Sequence, residues 1–420
     1  MLLRRIELDV DHAELCPGLG QECGSRPQGG ANGSRPGARL SRRVRRPDTL
    51  AAVITARTDV VGSLLRPPDL LEVRDRFDRG EASAAQLKRA EDRAVDDAVE
   101  MQERAGIEVV TDGEMRRLSF QSGLPDAVDG FGEVPLDAYL WGDWHGEGVG
   151  DRSTERPAGL GVRERLHRRR HIAAEDFTYL RGRARAIPKV TLTSPSLYAN
   201  LWSAEHSRDA YPTLDDFLDD VAELTRDEVA ELARLGCTYI QLDAPHYPLL
   251  IDPETRAFYE RQGWTADRYI TRGIELDNHV MAGHPDVTFG FHLCRGNQAS
   301  RWLVSGGYEP IARAVFRNVS AQRLLLEYDD ERSGSFQPLD EVPDDKMVVL
   351  GLVTTKSPRR ETVDELEARV REAAGHVDLE RLAVSPQCGF ATSVVGNALL
   401  HDDQRSKLET LARTAERVWG

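Results

Sequence analysis

The sequence predicts an α/β architecture, a (β/α)8 TIM barrel with an insertion after its second strand, and three observations support it. Short β-branched or apolar runs recur along the chain, each followed by polar or Gly/Pro residues and then a charged amphipathic stretch. Eight such runs span about 360 residues, enough for one large barrel. Nearly every run ends in a titratable or metal-binding side chain, and a barrel builds its active site at the C-terminal ends of its strands. A doubly wound open sheet is the alternative, but no Gly-x-Gly-x-x-Gly follows the first run.

Residues 1–52 read unlike the rest. They carry glycine-rich pieces and the run Ser41-Arg42-Arg43-Val44-Arg45-Arg46-Pro47, with little apolar periodicity to offset the entropy of ordering. The expectation is a disordered leader or an upstream start chosen in error; Glu7, Asp9, Asp11, Glu14 and Glu22 are too many acids for a transit peptide. Residues 53–420 are then the barrel. Its expected strands are Asp59–Ser63, Ile107–Asp112, Lys189–Thr193, Tyr239–Asp243, Val287–Cys294, Arg323–Tyr328, Met347–Thr354 and Leu382–Pro386. Helices are expected between them, as at Ala84–Ala105 and at Asp215–Leu235, apolar at Phe217, Leu218, Val221, Leu224, Val229 and Leu232. From Trp141 to about Arg170 the pattern breaks into glycines and then a basic run, which reads as a solvated insertion, with a lid or partner contact as the alternative.

Composition narrows the function. The chain of 420 residues has a formal net charge of −15, so no net basic face speaks for nucleic acid. Mean hydropathy is −0.47, and no apolar run reaches the ~18 residues of a membrane span. The five cysteines, an odd number without a dense framework, argue for a reducing cytoplasm and against structural disulfides.

His292-Leu293-Cys294 puts an imidazole and a thiol two residues apart, on one side of a strand end. Cys388 follows a later run, and Glu327 at the end of Arg323–Leu326 could fill a fourth position. Thiolate with imidazole prefers zinc, although a buried thiol beside a core histidine is the bland reading of His-x-Cys alone. A sulfur-rich shell donates charge and blunts the Lewis acidity that water activation needs. It suits a substrate thiol, deprotonated for alkylation near neutral pH.

Val61-Gly62-Ser63, Val110-Thr111-Asp112-Gly113-Glu114, Gln241-Leu242-Asp243-Ala244-Pro245, His292-Leu293-Cys294 and Pro386-Gln387-Cys388-Gly389 together resemble, in order, the catalytic C-terminal barrel of cobalamin-independent methionine synthase. The resemblance runs over roughly residues 55–420 and points to the short, single-barrel members, a group that includes epoxyalkane:coenzyme M transferase-like proteins. It implies that His292, Cys294, Glu327 and Cys388 ligate zinc and that Ser63 meets the carboxylate of an amino-acid thiol. It also implies that Glu114 and Asp243 hold that substrate's ammonium, and that Trp202 lies near a stacked pterin ring. The plainer readings are an ion pair of Glu114 with Arg116 or Arg117 and a core position for Trp202.

The departures from the family pattern fall on the donor side. Thr354-Thr355-Lys356-Ser357-Pro358-Arg359 stands where the methionine synthases carry Asp-x-His-Ser-Pro-Arg, so Lys356 replaces the imidazole of a proton relay. A lysine can serve as general acid if burial or nearby positive charge lowers its pKa, and Lys356 is the expected catalytic acid. Asp-Ala-Pro in place of Asp-Glu-Pro, and Gln387 before Cys388, are further departures. The expected activity is zinc-dependent methyl transfer to homocysteine from a methylated folate or another carrier. The alternatives are opening of an epoxide or other electrophile by a thiol such as coenzyme M, and a non-catalytic zinc- or thiol-binding barrel. A porphyrin decarboxylase of the same superfamily needs no His-x-Cys site and is disfavoured.

Overall fold

The computed structural model describes residues 53–134, 144–146, 159–261 and 264–420. The expected leader at residues 1–52 and most of the 141–158 stretch lie outside the described residues.

The strands are β1 (Val109–Val110), β2 (Val128–Glu133), β3 (Leu160–Arg168), β4 (Ile187–Pro188), β5 (Val190–Thr193), β6 (Tyr239–Asp243), β7 (Thr288–Leu293), β8 (Arg323–Glu327), β9 (Met347–Val353) and β10 (Leu382–Pro386). Strands β5 to β10 form one six-stranded sheet in sequence order, every pair parallel. Their runs are buried throughout, as strands covered by helices on a parallel sheet require. One residue before β5 the chain changes partner: β4 pairs in parallel with β1, and the Lys189 amide donates to the Val110 carbonyl.

At the other edge, Thr58 bridges Val384 in parallel, and the Asp59 amide donates to the Val384 carbonyl. The stretch expected as a first strand is thus an extended segment beside β10. Toward β1 it is tied by Thr111 Oγ1 to the Gly62 carbonyl (2.6 Å) and by the Glu108 amide to Thr58 Oγ1 (2.8 Å). One backbone bond, from the Leu64 amide to the Gly113 carbonyl, adds to these side-chain contacts, but among the described residues no strand pairing forms there and the ladder does not close into a ring. The expected second strand shrinks to two residues, Val109–Val110, which pair with β4 alone.

Helices fall where the periodicity places them. Leu214–Arg234 starts at a capping box of Thr213 with Asp216 and buries Phe217, Leu218, Val221, Val229 and Leu232, with Leu224 half-buried. Ala84–Arg104 starts at a capping box of Ser83 with Gln86 and buries Ala90, Ala94, Val95, Ala98 and Val99. No described helix is long and apolar enough to cross a membrane.

The insertion differs from its sequence reading. Part of the stretch expected to be irregular, Leu160–Arg168, is strand β3, which pairs antiparallel with β2. The charges misled because alternate residues, Val162 and Leu166, turn inward while the arginines face solvent. Phe131 and Tyr211 pack edge-on against Phe217, which docks this hairpin on Leu214–Arg234.

A buried polar network ties the sheet together on its inner side. Lys189 Nζ donates to Asp59 Oδ1 (2.7 Å) and to Gln241 Oε1 (2.7 Å); Tyr239 donates to Asp59 Oδ2 (2.7 Å); Arg323 Nη2 lies 3.3 Å from the same oxygen. Gln241 Nε2 passes the chain on to the Val61 carbonyl and to Asp243 Oδ1 (2.7 Å). Breaking a buried pair leaves an uncompensated charge, so Lys189→Met is expected to lower the unfolding free energy by about 3–5 kcal/mol in urea titrations.

A second network joins Ser194 Oγ and Tyr247 Oη, each 2.7 Å from an oxygen of Asp277. Burial, which those two hydroxyls only partly offset, pushes the Asp277 carboxyl up to about 7. A carboxyl whose folded pKa is raised binds its proton more tightly when folded, so its contribution to stability is present at low pH and is lost as pH rises from about 4 to about 7. Asp277→Asn removes this component. The stability advantage of the wild type over Asp277→Asn should therefore shrink by about 2–3 kcal/mol between pH 5 and pH 8, read by denaturant melts at each pH.

Candidate metal centre

His292 is the fifth residue of β7 and Cys294 lies one residue past its end, so strand alternation points both the same way. Cys388 lies two residues past β10, after a register shift between Ser385 and Pro386 and where the Gln387 amide donates back to the Val353 carbonyl. The ligand atoms of His292, Cys294 and Cys388, all buried, lie within 4.8 Å of one another. The two sulfurs are 3.9 Å apart. Two sulfurs bound to one tetrahedral zinc at ~2.3 Å stand about 3.8 Å apart. Neither ring nitrogen of buried His292 has a hydrogen-bond partner, a costly condition that a metal would relieve. These residues fit a zinc ion.

Electrostatics point the same way. The Cys388 thiol donates to Cys294, and this with the nearby His292 outweighs burial and drops Cys294 well below the usual thiol range. Cys388 rises well above it, as the donor of that bond and by burial. The two sulfurs share a proton, and the pair titrates as a unit that a metal would deprotonate. Burial lowers the His292 pKa, but the Cys294 sulfur and the Asp243 and Glu327 carboxylates outweigh it and leave it raised.

A cavity of about 710 Å3, open mouth included, lies over this cluster. Ser63, Glu114, Asp243, His292, Cys294 and Cys388 all line it, so six of the expected site residues share one space. Asp243 is aligned with His292 in the β6–β7 register. Burial and the neighbouring Glu114 push its carboxyl up to about 7 against the opposing pull of His292.

Glu114 is placed by a strained turn. Its φ is +56° and that of Gly113 is +68°, a conformation a glutamate adopts only when held. The hold comes from Asp112 Oδ1 accepting the Glu114 amide (2.9 Å) and from Arg66 and the Arg117 amide donating to its carbonyl. Glu114 Oε1 accepts Thr191 Oγ1 (2.9 Å), with Arg117 3.7 Å away, so the expected ion pair exists; Oε2 is buried with no hydrogen-bond partner. A Cβ at Gly389 would lie 2.0 Å from Ser63 Oγ, so a side chain there would force the Ser63 hydroxyl to turn away. The Phe390 amide donates to the Ser63 carbonyl and fixes Ser63 beside the Cys388 loop.

Three expected residues are placed otherwise. Trp202 is buried, donates Nε1 to the Tyr211 carbonyl (3.1 Å) and does not line the cavity. Glu327 falls outside the three-ligand group: Oε2 accepts the Arg295 amide (2.6 Å), while Oε1 takes Arg332 (2.7 Å) and Lys356 (3.1 Å). Burial raises the pKa of Glu327, but Lys356, Arg332 and Arg295 hold it far below the usual carboxylate range.

Lys356 does not line the cavity, and the expectation of a lowered pKa is not met. Burial does lower it, but Asp329 and Glu327 outweigh burial and leave it raised. A proton held that tightly is poorly matched to general acid catalysis at neutral pH.

Sequence reasoning missed Asn297, which donates to Thr355 Oγ1 and to the Gly389 carbonyl, each at 2.9 Å, and so braces the Cys388 loop. It also missed Arg332 and the apolar wall of Phe120, Trp144, Leu249 and Leu303. Asn297 lies three residues past Cys294, the one local signal available; the others come together only through folding.

Residues 56–401 match the family described as the cobalamin-independent synthase, catalytic domain. The uncharacterized protein YxjH of Bacillus subtilis is 33% identical over 86% of this chain and 94% of its own length. A methionine synthase of Pyrococcus abyssi is 26% identical over 79% of this chain and 86% of its length. A B12-independent methionine synthase from Shewanella sp. W3-18-1, solved with selenomethionine, shares the fold at a TM-score of 0.65 and 21% identity, over 87% of this chain and 98% of that one. With its three candidate ligands at strand ends of a parallel sheet, and with more than three quarters of its length matching, the chain belongs to the cobalamin-independent synthase catalytic-domain family.

Proposed function

We propose that the protein is a zinc-dependent thiol S-methyltransferase of methionine synthase type, acting on homocysteine in the cytoplasm, and that its parallel sheet is a (β/α)8 barrel. The observation that carries this reading is the cluster of His292, Cys294 and Cys388 in the floor of the cavity, with both histidine nitrogens unpartnered and the sulfurs at the spacing of a tetrahedral metal.

Zinc bound there supplies a Lewis acid that keeps a substrate thiol deprotonated near neutral pH. The protein supplies the rest. Glu114 and Asp243 face one cavity as two buried carboxylates, and Glu114 Oε2 has an open acceptor site, which together suit an ammonium. Ser63 lines the same cavity beside the Cys388 loop and is the residue we assign to the substrate carboxylate. Phe120, Trp144, Leu249 and Leu303 line the cavity with apolar surface that excludes water from the transfer. In the reaction a sulfur–carbon bond forms as the methyl carbon parts from its carrier, the thiol proton goes to solvent, and the leaving atom of the carrier takes up a proton.

The same two carboxylates argue against the anionic coenzyme M, whose sulfonate would be repelled. One zinc per chain is expected by elemental analysis, lost in Cys388→Ser. Sulfur from homocysteine, and not from coenzyme M, should then join the zinc shell by X-ray absorption. A new sulfur from coenzyme M alone would favour the alkyltransferase reading, and absence of zinc would overturn both. Glu114→Gln is expected to raise the KM for homocysteine at least tenfold, about 1.4 kcal/mol or more, in steady-state methyl transfer.

A further inference from the structure

The cavity over the metal cluster carries charge of one sign. Two carboxylates, Glu114 and Asp243, and two thiols, Cys294 and Cys388, line it, and among the described lining residues there is no lysine or arginine. An ammonium opposite the two carboxylates favours their ionised forms. With one divalent ion on His292, Cys294 and Cys388, and with homocysteine bound as a thiolate that keeps its carboxylate and ammonium, the loaded cavity stays negative. The rest of its wall is apolar and aromatic: Leu249 and Leu303 are buried in a cluster separate from the main core, and Phe120 and Trp144 pack against it. Trp144 comes from the insertion and is pinned by backbone, the His145 amide donating to the Trp302 carbonyl (2.8 Å) and the Trp302 amide to the His145 carbonyl (3.1 Å). Its ring lies against Gly296, two residues past Cys294, where a Cβ would stand 3.1 Å from it.

We infer that the methyl donor is a small methylsulfonium ion, drawn in by the negative charge of the loaded cavity and recognised by the aromatic side chains of Trp144 and Phe120. The inference rests on the thiol methyltransferase reading above and deepens it by naming the class of donor. A cation gains from the face of an aromatic ring, most of all where water is excluded. A donor that carries a string of carboxylates is repelled by Glu114 and Asp243 and meets no cationic side chain among the described lining residues.

The chemistry of such a donor matches the groups at hand. The substrate thiolate attacks the methyl carbon and a sulfur–carbon bond forms. The bond from that carbon to the sulfonium sulfur breaks, and its electron pair stays on the leaving sulfur, which departs as a neutral thioether. With this carrier no proton is taken up at the leaving atom, so the step needs no acid. Glu114 and Asp243 are taken by the ammonium, and His292, Cys294 and Cys388 by the metal. No titratable group among the described lining residues is then left to protonate a departing atom, and Lys356 does not line the cavity. An anion and a cation also cancel each other's charge on the way to the transition state. Such a reaction is fastest where little water stabilises the separated charges, as beside a wall of Phe120, Trp144, Leu249 and Leu303.

The test uses the full zinc-loaded chain with L-homocysteine and two singly charged probes, trimethylsulfonium and (2-hydroxyethyl)dimethylsulfonium, beside methyltetrahydropteroyltriglutamate as an anionic donor. Methionine and thioether should form in equal amounts from at least one sulfonium, with kcat/KM about tenfold or more above that of the pterin and falling as salt is added. Trp144→Leu should lower kcat/KM for the sulfonium about fivefold or more relative to that for methyl iodide, an uncharged donor to the same thiolate, and Trp144→Phe should restore most of the difference. Phe120→Leu, with the same expectation, serves if Trp144→Leu does not fold. Turnover of neither sulfonium by a protein that binds zinc and homocysteine sulfur overturns the inference. So does a pterin donor as fast as the sulfonium, or an equal loss for sulfonium and methyl iodide in the leucine variant. Absence of stoichiometric zinc, or of homocysteine sulfur in its shell, overturns instead the reading on which the inference rests.

Discussion

Two sulfurs 94 residues apart in sequence stand 3.9 Å from each other, and the rest of the site depends on that approach. Nothing local enforces it. Cys294 is delivered by β7 and Cys388 by β10, with β8 and β9 between them in the sheet. The register of three successive parallel pairings must therefore hold for the sulfurs to meet. A parallel sheet with both faces covered resists slippage, because a one-residue slip would turn every buried side chain to the wrong face.

The inner polar network acts on the same register from the opposite end of the strands. Asp59, Lys189, Tyr239, Gln241 and Arg323 come from the first extended segment, the approach to β5, β6 and β8. Burial penalises every charge among them, so each has to find its partner, and those partners exist in one strand alignment only. Gln241 carries this constraint into the cavity by donating to Asp243. The folding scaffold and the cavity lining are thereby one hydrogen-bonded system.

Charge is divided in space around the metal cluster. The cavity side presents Glu114 and Asp243 and is suited to a cation. Lys356, Arg332 and Arg295 gather instead around Glu327 and Asp329, and none of these five residues lines the cavity. Low local dielectric makes this division stronger than the same charges would be in water.

Much of this was legible in the sequence. Alternating apolar runs and amphipathic stretches marked the parallel sheet, and the 3.6-residue pattern of Phe217, Leu218, Val221, Val229 and Leu232 marked the buried face of a helix. His-x-Cys, Asp243, Glu114, Ser63 and Cys388 were readable because strand ends and Gly/Pro turns punctuate them locally, and the fold gathers them into one cavity. Other features have no local signal. That β3 is a strand depended on a partner about 30 residues earlier, and pairing overrode a highly charged composition. The side chains of Thr58 and Thr111 and a single backbone bond from Leu64 to Gly113, rather than a ladder, join the first segment to the stretch around β1. The partners of Glu327 and Lys356 were decided by tertiary structure alone: a carboxylate and an amine 29 residues apart pair once burial removes the water that each would otherwise keep.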